Sequence, residues 1–150
     1  MKFTIIALII VFDQISKNII NSYIKINSLI KINDFIKITN IQNTGISFGL
    51  LSGKVSQIIL IFIISFVISI LIIWYKKSIN HLEKWGLAIV ISGAFGNLID
   101  RIIHGYVIDF IYINYDKYYW PAFNIADIAI SVGIVILIIA TFVNYKYIKK

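Results

Sequence analysis

Cysteine is absent from the 150 residues. That excludes a disulfide framework, a thiolate metal site and a cysteine nucleophile. Histidine is nearly as scarce, since His81 and His104 stand far apart and offer no zinc spacing. The single proline is Pro121, and neither a linker of low complexity nor an internal repeat divides the chain. One domain, residues 1–150, is therefore expected. Acidic residues number 7 against 14 basic ones, a net charge of +7. Such an excess points to an anionic partner. No basic run is long enough for a nucleic-acid footprint, so anionic lipid headgroups are the expected counterpart.

What the chain has in quantity is apolar surface. Hydrophobic residues make up 59%, where an ordinary soluble domain has about 45–50%. Four segments approach the roughly 20 residues that span the hydrocarbon of a bilayer: residues 3–21, 55–75, 85–100 and 124–145. The first reads as an uncleaved span rather than a signal peptide, because it lacks a small-x-small cleavage site and carries Asp13 in its apolar half. Between the first two spans, Ile24-Lys25-Ile26, Ile30-Lys31-Ile32 and Phe35-Ile36-Lys37-Ile38 alternate in polarity, which argues for short strands or an interfacial platform. Residues 102–123 are rich in tyrosine and include Trp120, as expected of an amphipathic segment at headgroup level. The fold class expected is thus an all-α membrane protein with four transmembrane helices, a small extracytoplasmic β-platform and an interfacial segment.

Four spans put both termini on the same side as the 76–84 loop. Basic residues divide seven to seven between the two sides. One set, Lys2, Lys76, Lys77, Lys84, Lys146, Lys149 and Lys150, crowds the helix ends and the short loop, where a positive-inside bias acts most strongly. Cytoplasmic termini follow from that density.

Ionisable groups at membrane depth are costly and mark function by default. Asp13 and Lys17 are four apart, acid first, the favourable order for a helix pair. They either neutralise one another structurally or line a site. Asn43-Thr44-Gly45-Ile46-Ser47-Phe48-Gly49 reads as a turn, or as a place where the Asn43 amide meets a substrate backbone. Gly93, Asn97 and Arg101 recur every four residues on one helical face, and Asp100 is a candidate partner for the last two. Ser92 with Gly96, and Ala129 with Gly133, are small-residue pairs suited to close helix approach. Asn124-Ile125-Ala126-Asp127 resembles a capping box, so Asp127 either caps the fourth helix or is a carboxylate favoured there by the helix dipole. Asp109 lies in the apolar run Val107-Ile108-Asp109-Phe110, where desolvation should raise its pKa. A neutral and an ionised carboxyl side by side would serve as acid and base for peptide hydrolysis, as in aspartic proteases. Such chemistry needs neither metal nor cofactor.

Five ordered motifs carry a family resemblance: Asp13-Gln14-x-Ser16-Lys17, Asn43-x-Gly45-x-x-Phe48, Gly93-x-x-Gly96-Asn97-x-x-Asp100-Arg101, Gly105-x-Val107-x-Asp109-Phe110 and Phe123-Asn124-x-Ala126-Asp127. With them the chain resembles the bacterial lipoprotein signal peptidases (signal peptidase II) over essentially its whole length. The resemblance implies a multi-pass aspartyl peptidase of the bacterial cytoplasmic membrane, with its active site near the extracytoplasmic face. Such enzymes cut diacylglyceryl-modified prolipoproteins before the lipidated cysteine, and the cyclic peptide globomycin targets them. It further implies Asp109 and Asp127 as the catalytic pair, with Asn43, Asn97, Arg101 and Asn124 around the substrate. Gly93 would serve close packing, and Asp13, Lys17 and Asp100 would support the site. Ser92, where the family usually has glycine, and Ser47, where it usually has alanine, depart from the pattern. No nucleic acid is expected as a partner, and the protein is expected to be a monomer among membrane lipids. Two other classes compete on residues alone: a small proton-coupled transporter with acids strung along one path, and a structural subunit, which gives no reason for Asp109.

Overall fold

The computed structural model describes residues 2–45, 55–116 and 118–148. In chain order the elements are α1 (Lys2–Tyr23), β1 (Leu29–Lys31), β2 (Ile36–Asn43), α2 (Gln57–Lys77), α3 (His81–His104), β3 (Val107–Tyr115), β4 (Tyr118–Phe123) and α4 (Ile125–Ile148). All four helices are long and apolar enough to cross a membrane. Each corresponds to one of the four apolar segments, and both ends of α2 and α3 are capped.

The third helix shows this most clearly. Its uncharged stretch runs only from about residue 85 to 99, yet α3 extends from His81 to His104. At the start, the Asn80 side chain accepts from Leu82 N at 2.7 Å and from Glu83 N at 3.1 Å. These satisfy two of the N–H groups that every helix start leaves open. At the end, Gly105 takes a φ of 77°, a left-handed conformation that glycine adopts without strain, and its N–H donates to Arg101 O at 3.1 Å. Asp100 and Arg101 remain helical at membrane depth because both find buried partners.

The centre of the bundle is α3. Its apolar window is 61% buried, against 11%, 11% and 22% for α1, α2 and α4, and it packs on all three of them. The outer helices turn large side chains such as Phe12, Phe62, Phe66 and Phe142 outward, as a lipid-facing surface requires. Contact between α3 and α4 depends on small residues. A Cβ on Gly86 would sit 3.0 Å from Gly133 O, and one on Gly133 would sit 2.8 Å from Gly86 O. About two turns further along α3, a Cβ on Gly93 would collide with the Ala126 carbonyl and approach Ile130 Cγ1 to 2.8 Å. Where lipid is as apolar as leucine, such backbone-to-backbone approach supplies much of the helix association. Ser92, also buried, fits by turning its hydroxyl back to Ile89 O at 2.7 Å.

A four-stranded antiparallel sheet in the order β1-β2-β3-β4 lies at one end of the bundle. The alternation in residues 22–54 foretold its first half. Its second half comes from the aromatic stretch read as an interfacial segment, where β3 and β4 pair Ile111 with Phe123 and Tyr115 with Tyr118. Ile20 of α1 and Ile108 and Phe110 of β3 form a core that ties sheet to bundle, with Ile24, Ile38 and Ile125 packed around it. The pairing of β2 with β3 places Ile41 opposite Asp109 and Asn43 opposite Val107. Asp109 is thereby carried by a strand, at the point where the sheet meets the helices.

Gly93→Ala should lower stability by about 1–3 kcal/mol through overpacking against main chain, read as a lower thermal midpoint in detergent. Gly105→Asn, where no atom lies within 4 Å of the added Cβ and asparagine tolerates the left-handed region, should change the midpoint far less. Equal losses from the two would show that close packing of α3 on α4 is not what Gly93 provides.

Candidate active site

Asn124 is the single residue between β4 and α4, and it touches both candidate catalytic carboxyls. Its side-chain Nδ2 donates to Asp109 Oδ1 at 2.7 Å. Its backbone N donates to Asp127 Oδ2 at 3.1 Å, and its Oδ1 accepts from Asp127 N at 3.0 Å. The capping-box reading of this stretch therefore holds, and it does not compete with the other one. The interactions that start α4 also fix Asp127 beside Asp109.

Each carboxyl has a second amide partner. Asn43, at the end of β2, donates from Nδ2 to Asp109 Oδ2 at 2.9 Å and accepts from Gly45 N at 2.9 Å through Oδ1. It is both a turn former and a site residue, and its amide meets a carboxyl. Residues 46–49 of that stretch, including Ser47 and Phe48, lie outside the described residues. Asn97 of α3 donates from Nδ2 to Asp127 Oδ1 at 2.9 Å. Arg101, one turn along α3, donates from Nη2 to Gly45 O at 2.5 Å and from Nη1 to Asn97 O at 3.4 Å.

Asn43, Asn97, Arg101, Asp109 and Asp127 line one cavity of about 430 Å³, whose remaining wall includes Trp120, Phe123, Ile128, Ile130, Ser131 and Val132. Polar groups converging at one side of an apolar cleft are the usual form of a site for a partly apolar substrate. Asp109 is only 4% exposed. Burial, with the neighbouring charge of Asp127 second, pushes its carboxyl up to about 7 from an ordinary value of 3.8, while the amides of Asn43 and Asn124 and the charge of Lys17 pull it down. A carboxyl so placed keeps its proton near neutrality, which an acid catalyst needs.

Asp13, Lys17 and Asp100 do not line the cavity. They form a buried cluster behind it. The ammonium of Lys17, 1% exposed, lies 2.8 Å from Asp13 Oδ2, 2.9 Å from Asp100 Oδ2 and 2.9 Å from Asn97 Oδ1. Asp13 Oδ1 accepts from Ala126 N at 2.8 Å, and Asp100 Oδ2 accepts from Ile108 N at 3.2 Å. The pair foreseen between Asp13 and Lys17 is thus a three-ion group joining α1, α3, β3 and α4. Gly93 also stands off the cavity, beneath the Ala126 carbonyl, while Gly96 leaves room for Asp13 Oδ2 at 2.6 Å from where its Cβ would be.

Gln14 was missed as a site residue although it stands inside a quoted motif. Its Nε2 donates to Asp100 Oδ1 at 2.9 Å, to Gly96 O at 3.1 Å and to Asp13 Oδ2 at 3.3 Å. An amide next to a buried acid was the available signal. Ser131, one turn beyond Asp127 on α4 and in the cavity wall, was missed too, and its i+4 spacing was the available signal. Trp120 was not legible, because only the sheet brings it to the cavity. All four acids of these groups gather at one end of the bundle, and none is placed as a relay through its depth.

Four membrane-length helices with paired carboxyls in one cavity are the framework of a membrane enzyme working by acid and base. A family model described as Signal peptidase (SPase) II matches residues 5–143. A lipoprotein signal peptidase of Francisella tularensis subsp. novicida is 38% identical over 152 residues, covering 97% of this chain and 94% of that protein. One from Cellvibrio japonicus is 51% identical over 77 residues, a local match covering 50% of this chain and 45% of its own length. A solved bacterial membrane enzyme structure superposes with a TM-score of 0.87 at 32% identity, covering 96% of this chain and 88% of that one. The chain belongs to the lipoprotein signal peptidase family, signal peptidase II, whose members are aspartic-type peptidases.

Lys17→Met should be severely destabilising, by about 3–5 kcal/mol, because it strands two buried carboxylates without their cation. Paired with Asp13→Asn it should recover much of that loss, as measured by thermal unfolding in detergent. A single Lys17→Met variant as stable as wild type would mean that the cluster is wetted and not a buried ion group.

Proposed function

We propose that the protein removes signal peptides from diacylglyceryl-modified prolipoproteins, cutting before the lipidated cysteine, with Asp127 as base and Asp109 as acid. The observation that carries the assignment is that two carboxyls lining one cavity, Asp109 and Asp127, are both hydrogen-bonded to the buried Asn124 behind them. In this scheme the Asp127 carboxylate takes a proton from water as the water oxygen attacks the scissile carbonyl. Neutral Asp109 donates its proton toward the developing oxyanion and stabilises it. Collapse of the tetrahedral adduct breaks the C–N bond, and the leaving amine takes up a proton from the pair. Asn43, Asn97 and Asn124 hold the carboxyls, and Arg101, which lines the cavity with Asn43 and Asn97, offers donors to the substrate backbone. The substrate brings both the cysteine and the lipid, so a chain without thiols is adequate to the task.

We place the cleavage site toward the extracytoplasmic face and both termini in the cytoplasm. Support comes from the opposite end of the bundle, where Lys76, Lys77 and Lys84 flank the short α2–α3 connection, as a positive-inside orientation requires. The whole chain then acts as one integral-membrane peptidase domain and as a monomer, with the aromatic β3–β4 hairpin at headgroup depth.

Cleavage of a diacylglyceryl-modified prolipoprotein by purified protein in detergent tests the assignment. Asp109→Asn and Asp127→Asn should each lose about 10²–10⁴-fold in kcat while still binding substrate, and a chelator should leave wild-type cleavage unchanged. Near-normal turnover in either variant would make that aspartate structural and refute the pair. The pH profile follows from Asp109. Its raised pKa means the proton is held below about 7 and lost above it, so kcat/KM should fall as pH rises through that value, by about tenfold per unit when proton donation limits the rate. A rate that climbs across the same interval would reverse the roles.

A further inference from the structure

We propose that Lys17 is a positioning residue for the cleavage reaction: by occupying the carbonyl of Asn97, it locks that amide with its NH₂ group turned to Asp127. The inference rests on the peptidase reading of Asp109 and Asp127. Asn97 Oδ1 accepts from Lys17 Nζ at 2.9 Å and from Asn124 Nδ2 at 3.2 Å. An ammonium offers only N–H groups, so an Asn97 amide rotated by half a turn would set its own NH₂ against two donors. The same rotation would put the amide oxygen against the carboxyl of Asp127. As built, Nδ2 donates to Asp127 Oδ1 at 2.9 Å, and the carboxyl is held by its hydrogen-bond donors in the orientation of an acceptor.

A buried ammonium must place all three of its N–H donors, and what marks this site is that the third goes to the Asn97 amide rather than to a main-chain carbonyl. Asp13 already accepts from Ala126 N, and Asp100 from Gln14 Nε2 and Ile108 N. Two contacts from Lys17 would neutralise them, yet its third donor points along α3 to Asn97. The charged groups bearing on this chain of contacts are Asp13 on the α1 side, Asp100 and Arg101 from α3, and Asp109 from β3. Of these, only Arg101 reaches Asn97, and it does so at the backbone carbonyl rather than at the amide. With a neutral side chain carrying both donor and acceptor at position 17, the amide oxygen would be held by the longer contact from Asn124 Nδ2 at 3.2 Å. A donor-only group fixes it.

Because Lys17→Met alone strands two buried carboxylates, the test uses Asp13→Asn/Lys17→Met, which keeps the cluster's net charge at minus one, beside Asp13→Asn as its reference. Turnover of a diacylglyceryl-modified prolipoprotein is measured in detergent. In parallel, hydrogen exchange of the Asn97 side-chain amide is followed by NMR of ¹⁵N-asparagine-labelled protein, the signal being assigned by its loss in Asn97→Ser. The expected result is a kcat about 10–100-fold below that of the reference, with KM within about twofold. The Asn97 amide should exchange slowly in wild type and in the reference, and rapidly in the double variant. Equal kcat in the double variant and the reference, or a fast-exchanging Asn97 amide in wild type, would overturn the proposal. So would failure of the charge-matched variant to fold, which would make Lys17 a counter-ion and nothing more. Wild type that never cleaves would instead count against the peptidase reading, while the exchange measurement reports the amide lock without turnover.

Discussion

The polar centre of this protein depends on one constraint: a charge buried at membrane depth needs partners. The Lys17 ammonium meets Asp13, Asp100 and Asn97, and each of these passes the obligation on. Asp13 reaches Ala126 at the start of α4, and Asp100 reaches Ile108 beside Asp109. Asn97 reaches Asp127. The result is a continuous set of hydrogen bonds from α1 to the paired carboxyls. Removal of one member leaves an unsatisfied buried group, which costs far more than the bond itself was worth.

The small residues of α3 and α4 serve the same end. Gly93 lies under the Ala126 carbonyl and Gly96 makes room for Asp13. Without that room, Ala126 N and the Asp13 carboxylate would not come together, and the first turn of α4 would lose an external partner. Packing and polarity are therefore coupled at one helix crossing. Close approach of the backbones is what brings the acids within hydrogen-bonding range.

Much of this was legible in the residues. Four apolar runs foretold four helices, and Asp109, Asp127, Asn43, Asn97, Arg101 and Asn124 all meet in one place. The third helix was read short because hydropathy stops at Asp100, while the helix stops at Gly105, where the backbone turns left-handed. The β3–β4 half of the sheet was read as an interfacial segment, since its aromatic residues suit a headgroup layer as well as they suit a strand. Pairing with β2 decides the matter, and that is a long-range interaction no local pattern displays. Gln14 and Trp120 escaped for a related reason. Their importance lies in neighbours more than 80 residues away for Gln14, and on the far side of a hairpin for Trp120.

Asn124 has a consequence for accuracy. One carboxyl rides on a strand and the other on a helix, two elements positioned by different sets of contacts. Both are nevertheless gauged from the same residue, through contacts of 2.7 Å and 3.1 Å. The spacing of the pair is thus referred to a common datum, and it does not accumulate the errors of the long path through sheet and bundle. A protein of 150 residues in a soft solvent holds a tolerance that its overall rigidity could not supply.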